Sequence, residues 1–173
     1  MNLVGMQTSV RTLGVMTVVK IVPLTDSENE TMRDINGEVI YRPKNVNISQ
    51  IFRLGQSHAD TPWTQMGTIL QILFSHGGRY DFQRQGGDRH PQDTILPSGY
   101  LFHPEYVSFS TVAIGVFAKG AGISMNEILS IQNTFAGLRS SFAPGTQMDP
   151  VYRNLPALNV ANTRLGFILA RGN

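Results

Sequence analysis

The sequence predicts an α+β fold: an N-terminal antiparallel β region followed by a mostly helical part of about four helices. Two observations carry this expectation. Residues 1–50 hold β-branched runs broken by polar clusters and Pro43, whereas residues 58–173 place apolar side chains at helical spacing between glycine and proline stops. A length of 173 residues suits a single domain, 1–173, with one hydrophobic core.

The elements follow in order. Val15 to Val22 is apolar and β-branched, the polar cluster Thr25 to Asp34 follows, and Gly37 leads into Glu38 to Arg42, where Pro43 ends the run. An antiparallel pair with a longish connection is the simplest construction. Asn47 to Phe52 fits a short helix or a third strand equally well. Asp60 or Thr61 then caps a helix whose stripe is Trp63, Met66, Leu70, Leu73 and Phe74, stopped by His76-Gly77-Gly78. A second helix starts near Pro104-Glu105 and runs to Lys119 before Gly120. Its Ser108, Ser110, Thr111, Ala113, Gly115 and Ala118 suit close packing and a central position. A third carries the capping box Ser124-x-x-Glu127, with Ile128, Ile131 and Phe135 on one face and Gly137 past its end. The last covers Leu158 to Ala170 with an apolar set of Leu158, Ala161, Leu165, Ile168 and Leu169. No internal repeat is expected.

Composition excludes several classes of function. Apolar residues make up 41% and charged residues 15% of the chain, so it is neither a disordered polymer nor a highly charged one. The formal charge is +2 with no run of Lys or Arg to track phosphates, and nucleic acid is not favoured as a partner. Without cysteine there is no thiolate nucleophile and no sulfur-rich zinc site. Arg11 and Lys20 interrupt the apolar N-terminal stretch, which therefore reads as structure rather than as a leader, and membrane insertion is not expected.

The side chains able to carry chemistry gather between His76 and Glu105. His76, Arg79, Asp81, Arg84, Asp88, Arg89, His90 and Asp93 are followed by His103 and Glu105 at the start of the next helix. Two carboxyl groups in different surroundings can hold different protonation states, which is what general acid and base catalysis needs. Asp81 is the first candidate, because Tyr80 and Phe82 on either side can desolvate it and raise its pKa. Glu105 is the second; on a first helical turn a carboxylate also gains from the helix dipole. The four histidines His58, His76, His90 and His103 show no HExxH or other tight ligand spacing, and neither a metal nor another cofactor is expected.

The stretch from about Trp63 to Phe167 resembles the polymorphic toxin type 44 family of bacterial effector domains. The likeness lies in order and spacing: a helix, then GGRYDFQRQGG, then an acidic residue before the small-residue helix HPEYVSFSTVAIG, then AKGAGIS, and QMDP before a closing helix. Val107 to Val112 stands where the family tends to show a Gly-Asn-x-x-Tyr-Gly motif, so no role passes to those positions. The resemblance implies Asp81 and Glu105 as catalytic residues and Asp149 as a further site residue. Together with His76, Arg79, Tyr80, Arg84 and His103 it gives a substrate-binding set.

The expected function is that of a secreted interbacterial effector toxin, a hydrolase cutting the glycan strand of peptidoglycan in the periplasm of a target cell. Its partners would be a cognate immunity protein and a secretion apparatus, such as the type VI machinery, or a larger carrier. A nuclease toxin using His76, His90 or His103 as base is the second reading, with Arg79, Arg84 and Arg89 on the phosphate. A non-enzymatic phage or secretion-apparatus structural protein is the third.

Overall fold

A computed structural model describes residues 7–12, 15–74, 80–82, 104–142 and 155–170, with side chains for 21–74, 80–82, 105–136 and 155–170. These residues form an α+β fold with three strands and five α-helices. Strands β1 (Gln7–Thr12) and β2 (Val15–Pro23) pair antiparallel in the register Gln7↔Lys20 to Thr12↔Val15. The end of β2 pairs antiparallel with β3 (Tyr41–Pro43), Ile21 opposite Pro43. The helices are α1 (Ile48–Gln56), α2 (Trp63–Phe74), α3 (Val107–Gly120), α4 (Met125–Phe142) and α5 (Ala157–Leu169), and a 3₁₀ turn, Pro104–Tyr106, leads into α3. Contacts group the chain into two compact units that interleave in sequence: residues 1–47 with 69–110, and residues 48–68 with 111–173.

In the first unit, the longish connection expected between β2 and β3 has a regular construction. It is built from two hairpin turns of one design, Asp26–Glu30 and Asp34–Glu38. In each, the first residue's N–H donates to the last residue's carbonyl (3.1 and 2.9 Å), and the fourth residue's N–H donates back to the first carbonyl (3.3 and 3.0 Å). The fourth residue lies in the left-handed region, Asn29 at φ 64° and Gly37 at φ 82°. This is a type I turn closed by a left-handed residue, which supplies a three-residue hairpin loop. Asp26 Oδ1 accepts from the N–H of Glu28 and Glu30, both at 2.9 Å, and Asp34 Oδ1 accepts from Asn36 (2.8 Å) and Glu38 (3.2 Å). A ring of three backbone bonds ties the turns together at intervals of eight residues: Leu24 N to Ile40 O at 2.7 Å, Met32 N to Leu24 O at 2.8 Å, and Ile40 N to Met32 O at 3.0 Å. The sequence expectation of a strand over 38–42 therefore shortens, because Glu38 and Val39 are taken up by the second hairpin. Leu24 and Ile40 enter the core of this unit with Leu70, Phe82, Tyr106 and Phe109.

The second unit answers the ambiguity at 47–52 in favour of helix, since Ile51 and Gly55, one turn apart, are the buried pair of α1. Its packing is set by four glycines. A methyl group at Gly55 would fall on the carbonyl oxygen of Phe117, and one at Gly120 on that of Phe52. Gly115 stands in the same relation to Thr163, and Gly166 to Val112. Each glycine follows by three residues the carbonyl that its partner's glycine meets, and the pairs run in opposite chain order. Helix α3 thus meets α1 and α5 with backbones touching, a geometry that allows Cα–H···O contacts.

This close approach corrects the expected buried face of α5. Asn162, Thr163, Gly166 and Ala170 are buried while Ile168 is exposed, because backbone contact at Gly166 turns the small-residue side inward. Thr163 Oγ1 donates to Gln132 Oε1 of α4 at 3.0 Å, and the N–H of Leu155 donates to Asn133 Oδ1 at 2.9 Å, fixing the start of α5 on α4. Among the described residues, the amide nitrogens of Gln132 and Asn162 are buried without hydrogen-bond partners. On α2, Met66 and Leu70 are buried as expected, but Trp63, at the first helical position, is exposed. Gly137 lies inside α4 rather than beyond it. A glycine costs about 1 kcal/mol relative to alanine within a helix, too little to end one by itself.

The capping box forms as read: Ser124 N donates to Glu127 Oε2 at 2.8 Å, and Glu127 N to Ser124 Oγ at 3.3 Å. Hydrogen bonds from the Ser124 side chain and backbone hold the Glu127 carboxyl below the usual glutamate range. A depressed folded-state pKa contributes stability above the unfolded value and loses it as pH falls through the folded one. The difference in Tm between the parent chain and Glu127→Ala will therefore shrink on acidification from about pH 7 to about pH 3. A pH-independent difference would remove the box from the charge account.

Glycine substitutions separate backbone contact from helix propensity. Gly115→Ala will destabilise the chain by about 3 kcal/mol, because its neighbour is a backbone carbonyl that cannot swing away. Gly67→Ala meets only the Phe135 ring at 3.8 Å and will be neutral or stabilising by up to about 1 kcal/mol. Chemical denaturation of the two variants reads both outcomes.

Candidate active site

The first unit is assembled around the start of α3. Strand β3 lies against the 3₁₀ turn that carries Glu105. The second hairpin reaches the first turn of α3 through the Ser108 hydroxyl, which donates to Asp34 Oδ2 at 3.2 Å. The segment Tyr80-Asp81-Phe82 approaches the same helix from another part of the chain, with the Phe82 and Phe109 ring centroids 5.0 Å apart.

That segment is anchored at both ends. The N–H of Tyr80 donates to the carbonyl of Leu73 at 2.7 Å, returning the chain to the end of α2. The Tyr80 ring stacks on Phe74 at 5.5 Å and meets Phe82 edge-on at 5.9 Å. Four rings in sequence, Phe74, Tyr80, Phe82 and Phe109, thus form a continuous aromatic wall. Each such pair contributes about 0.5–1.5 kcal/mol beyond the area it buries.

Asp81 sits within this wall and is 2% exposed. Glu105 is half-buried on the turn before α3, and Phe109, four residues on, is the ring that Phe82 touches. The two candidate carboxylates therefore belong to one compact unit, and the neighbour of one is packed within a helical turn of the other. Tyr80 is half-buried beside Asp81. Their exposures differ: Asp81 is buried between Tyr80 and Phe82 in the chain, and Glu105 lies half-buried on the turn before α3. His76, Arg79, Arg84, His90, His103 and Asp149 lie outside the described residues.

Asp34 is a carboxylate at this site that the sequence reading took only for the end of a polar cluster. Its turn was legible in the Asp-x-x-Gly spacing. Its contact with a serine 74 residues away was not. Arg42 is also committed locally: its Nη1 donates to the carbonyls of Val46 (2.7 Å), Lys44 (3.3 Å) and Pro43 (3.4 Å), and burial lowers its pKa. His58 packs its ring 5.9 Å from that of Phe117 in the second unit. Among the described residues no group of three His, Asp or Glu side chains could hold a metal ion, and no helix is long and apolar enough to cross a membrane.

Comparison with family models, with curated proteins and with solved structures gives no match. The resemblance to the type 44 toxins therefore rests on the residues themselves.

The wall makes a measurable prediction. Phe82→Ala will cost about 3–5 kcal/mol, as loss of a fully buried ring does. A double-mutant cycle between Phe82 and Phe109, each changed to leucine, will return a coupling of about 0.5–1.5 kcal/mol. Additive effects would show that the rings share a core without acting on each other.

Proposed function

We propose that the chain is an effector hydrolase of the kind bacteria deliver into competitors, and that it cuts the glycan strand of the cell wall with Asp81 and Glu105. The observation that carries this reading is that Asp81 is 2% exposed in the segment whose Phe82 ring packs on Phe109, four residues after Glu105. A carboxyl at 2% exposure is one whose protonation state is governed by its surroundings, which is what a catalytic acid or base needs.

In this mechanism Asp81 protonates the glycosidic oxygen as the bond to the leaving sugar breaks. Glu105 either draws a proton from a water that attacks the opposite face of the ring, or attacks that carbon itself and is released by water afterwards. Carboxyls about 5 Å apart select the second course, and a wider gap selects the first. His76, Arg79, Arg84, His103 and Asp149 are assigned to holding the polymer, with Tyr80 offering a ring face to a sugar. A neutral glycan also fits a chain with a formal charge of only +2. An immunity protein that fills the same site would complete the system in the producing cell.

Expression in a bacterium with and without an export signal tests the proposal. Lysis on export alone, abolished by Asp81→Asn and by Glu105→Gln in soluble, folded variants, is the expected result. Toxicity confined to the cytoplasm would favour the nuclease reading instead, and harmlessness in both compartments would sink the toxin assignment.

A further inference from the structure

The two hairpins of the first unit differ in one respect that bears on the site. Asp26 and Asp34 occupy equivalent positions, and each uses Oδ1 to accept two backbone N–H groups of its own turn. Asp34 alone also uses Oδ2 beyond its turn, accepting the Ser108 hydroxyl at 3.2 Å. With Oδ1 held by its own turn, the carboxylate presents Oδ2 in a fixed direction. Ser108 in turn lies three residues after Glu105, and residues three apart share one side of a helical turn.

We propose that Asp34 is a positioning residue for Glu105. Through Ser108 it fixes the first turn of α3, and with it the place of the Glu105 carboxyl relative to Asp81. The hairpin itself is held by the closed ring of backbone bonds at Leu24, Met32 and Ile40, so the anchor is rigid at its far end. Misplacing a reacting group by about 1 Å costs on the order of a hundredfold in rate, so a bond of modest stability can govern activity. The catalytic part of this inference rests on the hydrolase reading; the structural part does not.

The repeat supplies its own control, because Asp26→Ala removes the same pair of turn bonds as Asp34→Ala and leaves α3 untouched. Both variants are expected to lose similar amounts of thermal stability. Only Asp34→Ala will lower kcat on purified peptidoglycan, on the order of ten- to a hundredfold with KM little changed. Ser108→Ala will match it, and the double variant Asp34→Ala/Ser108→Ala will lose no more than either single one. Asp34→Asn keeps an oxygen for the turn and an amide within reach of Ser108, and should restore most of the rate. Backbone amide resonances of Glu105 to Phe109 supply a readout independent of activity: they will move in Asp34→Ala and Ser108→Ala and stay in place in Asp26→Ala. Equal rate losses for Asp26→Ala and Asp34→Ala, independent effects at Asp34 and Ser108, or unmoved amides would overturn the proposal. If the parent chain releases no sugar from peptidoglycan, the hydrolase reading falls, and the amide resonances alone decide the positioning link.

Discussion

Helix α3 has no side given over to solvent, and the rest of the described structure answers to that constraint. From Phe109 to Ala118 every residue is buried except Ile114, which is half-buried. A helix apolar on all sides must be enclosed by other elements, since it offers water no polar face. In the second unit the enclosure is helical and intimate, with glycines letting α1 and α5 bring their backbones against α3. In the first unit it is mixed, made of an aromatic ring from residue 82, a carboxylate from a hairpin, and a short strand beside the 3₁₀ turn. The start of α3 is where polar chemistry can enter, because Glu105, Ser108 and Ser110 supply the hydrogen-bonding groups there; the Ser110 hydroxyl donates back to the Tyr106 carbonyl at 3.0 Å.

The central place of α3 was legible because its small residues announce close neighbours. Glycines at 115 and 120 and alanines at 113 and 118 leave room for a backbone, and few exposed helices would combine these with Val112, Val116 and Phe117. The buried side of α5 was not legible in the same way. Apolar periodicity pointed to Leu165 and Ile168, but contact at Gly166 requires the neighbouring side chains to be small, and Asn162 and Thr163 go inward with it. When two helices meet through their backbones, side-chain size outranks hydropathy in setting which face is covered. The cost appears in the buried amides of Gln132 and Asn162, whose nitrogens find no acceptor. Helix ends showed the opposite balance. Ser124 and Glu127 act over three residues, and such local chemistry survives any tertiary context.

The hairpins illustrate a different limit. Asp26 and Asp34 each head a turn, yet the sequences DSENE and DINGE share only their first and last residues. What repeats is the pattern of hydrogen bonds and the left-handed fourth residue, met by Asn in one copy and Gly in the other. These two residue types tolerate positive φ for different reasons, so the structural repeat leaves little trace in the letters. The link from Asp34 to Ser108 leaves none at all, because neither residue type specifies a partner 74 positions away.

Tyr80 and Phe82 on either side of Asp81 announce its desolvation in the sequence, and Asp81 is 2% exposed. Placing a carboxyl at 2% exposure among Phe82, Tyr80 and their neighbours requires it to be neutralised or well paired. Even a well-paired buried carboxylate stabilises a fold no more, and often less, than an apolar side chain of similar volume. A nearly buried acid in the segment whose Phe82 ring packs on Phe109, in the same unit as Glu105, is a carboxyl whose protonation state its surroundings set.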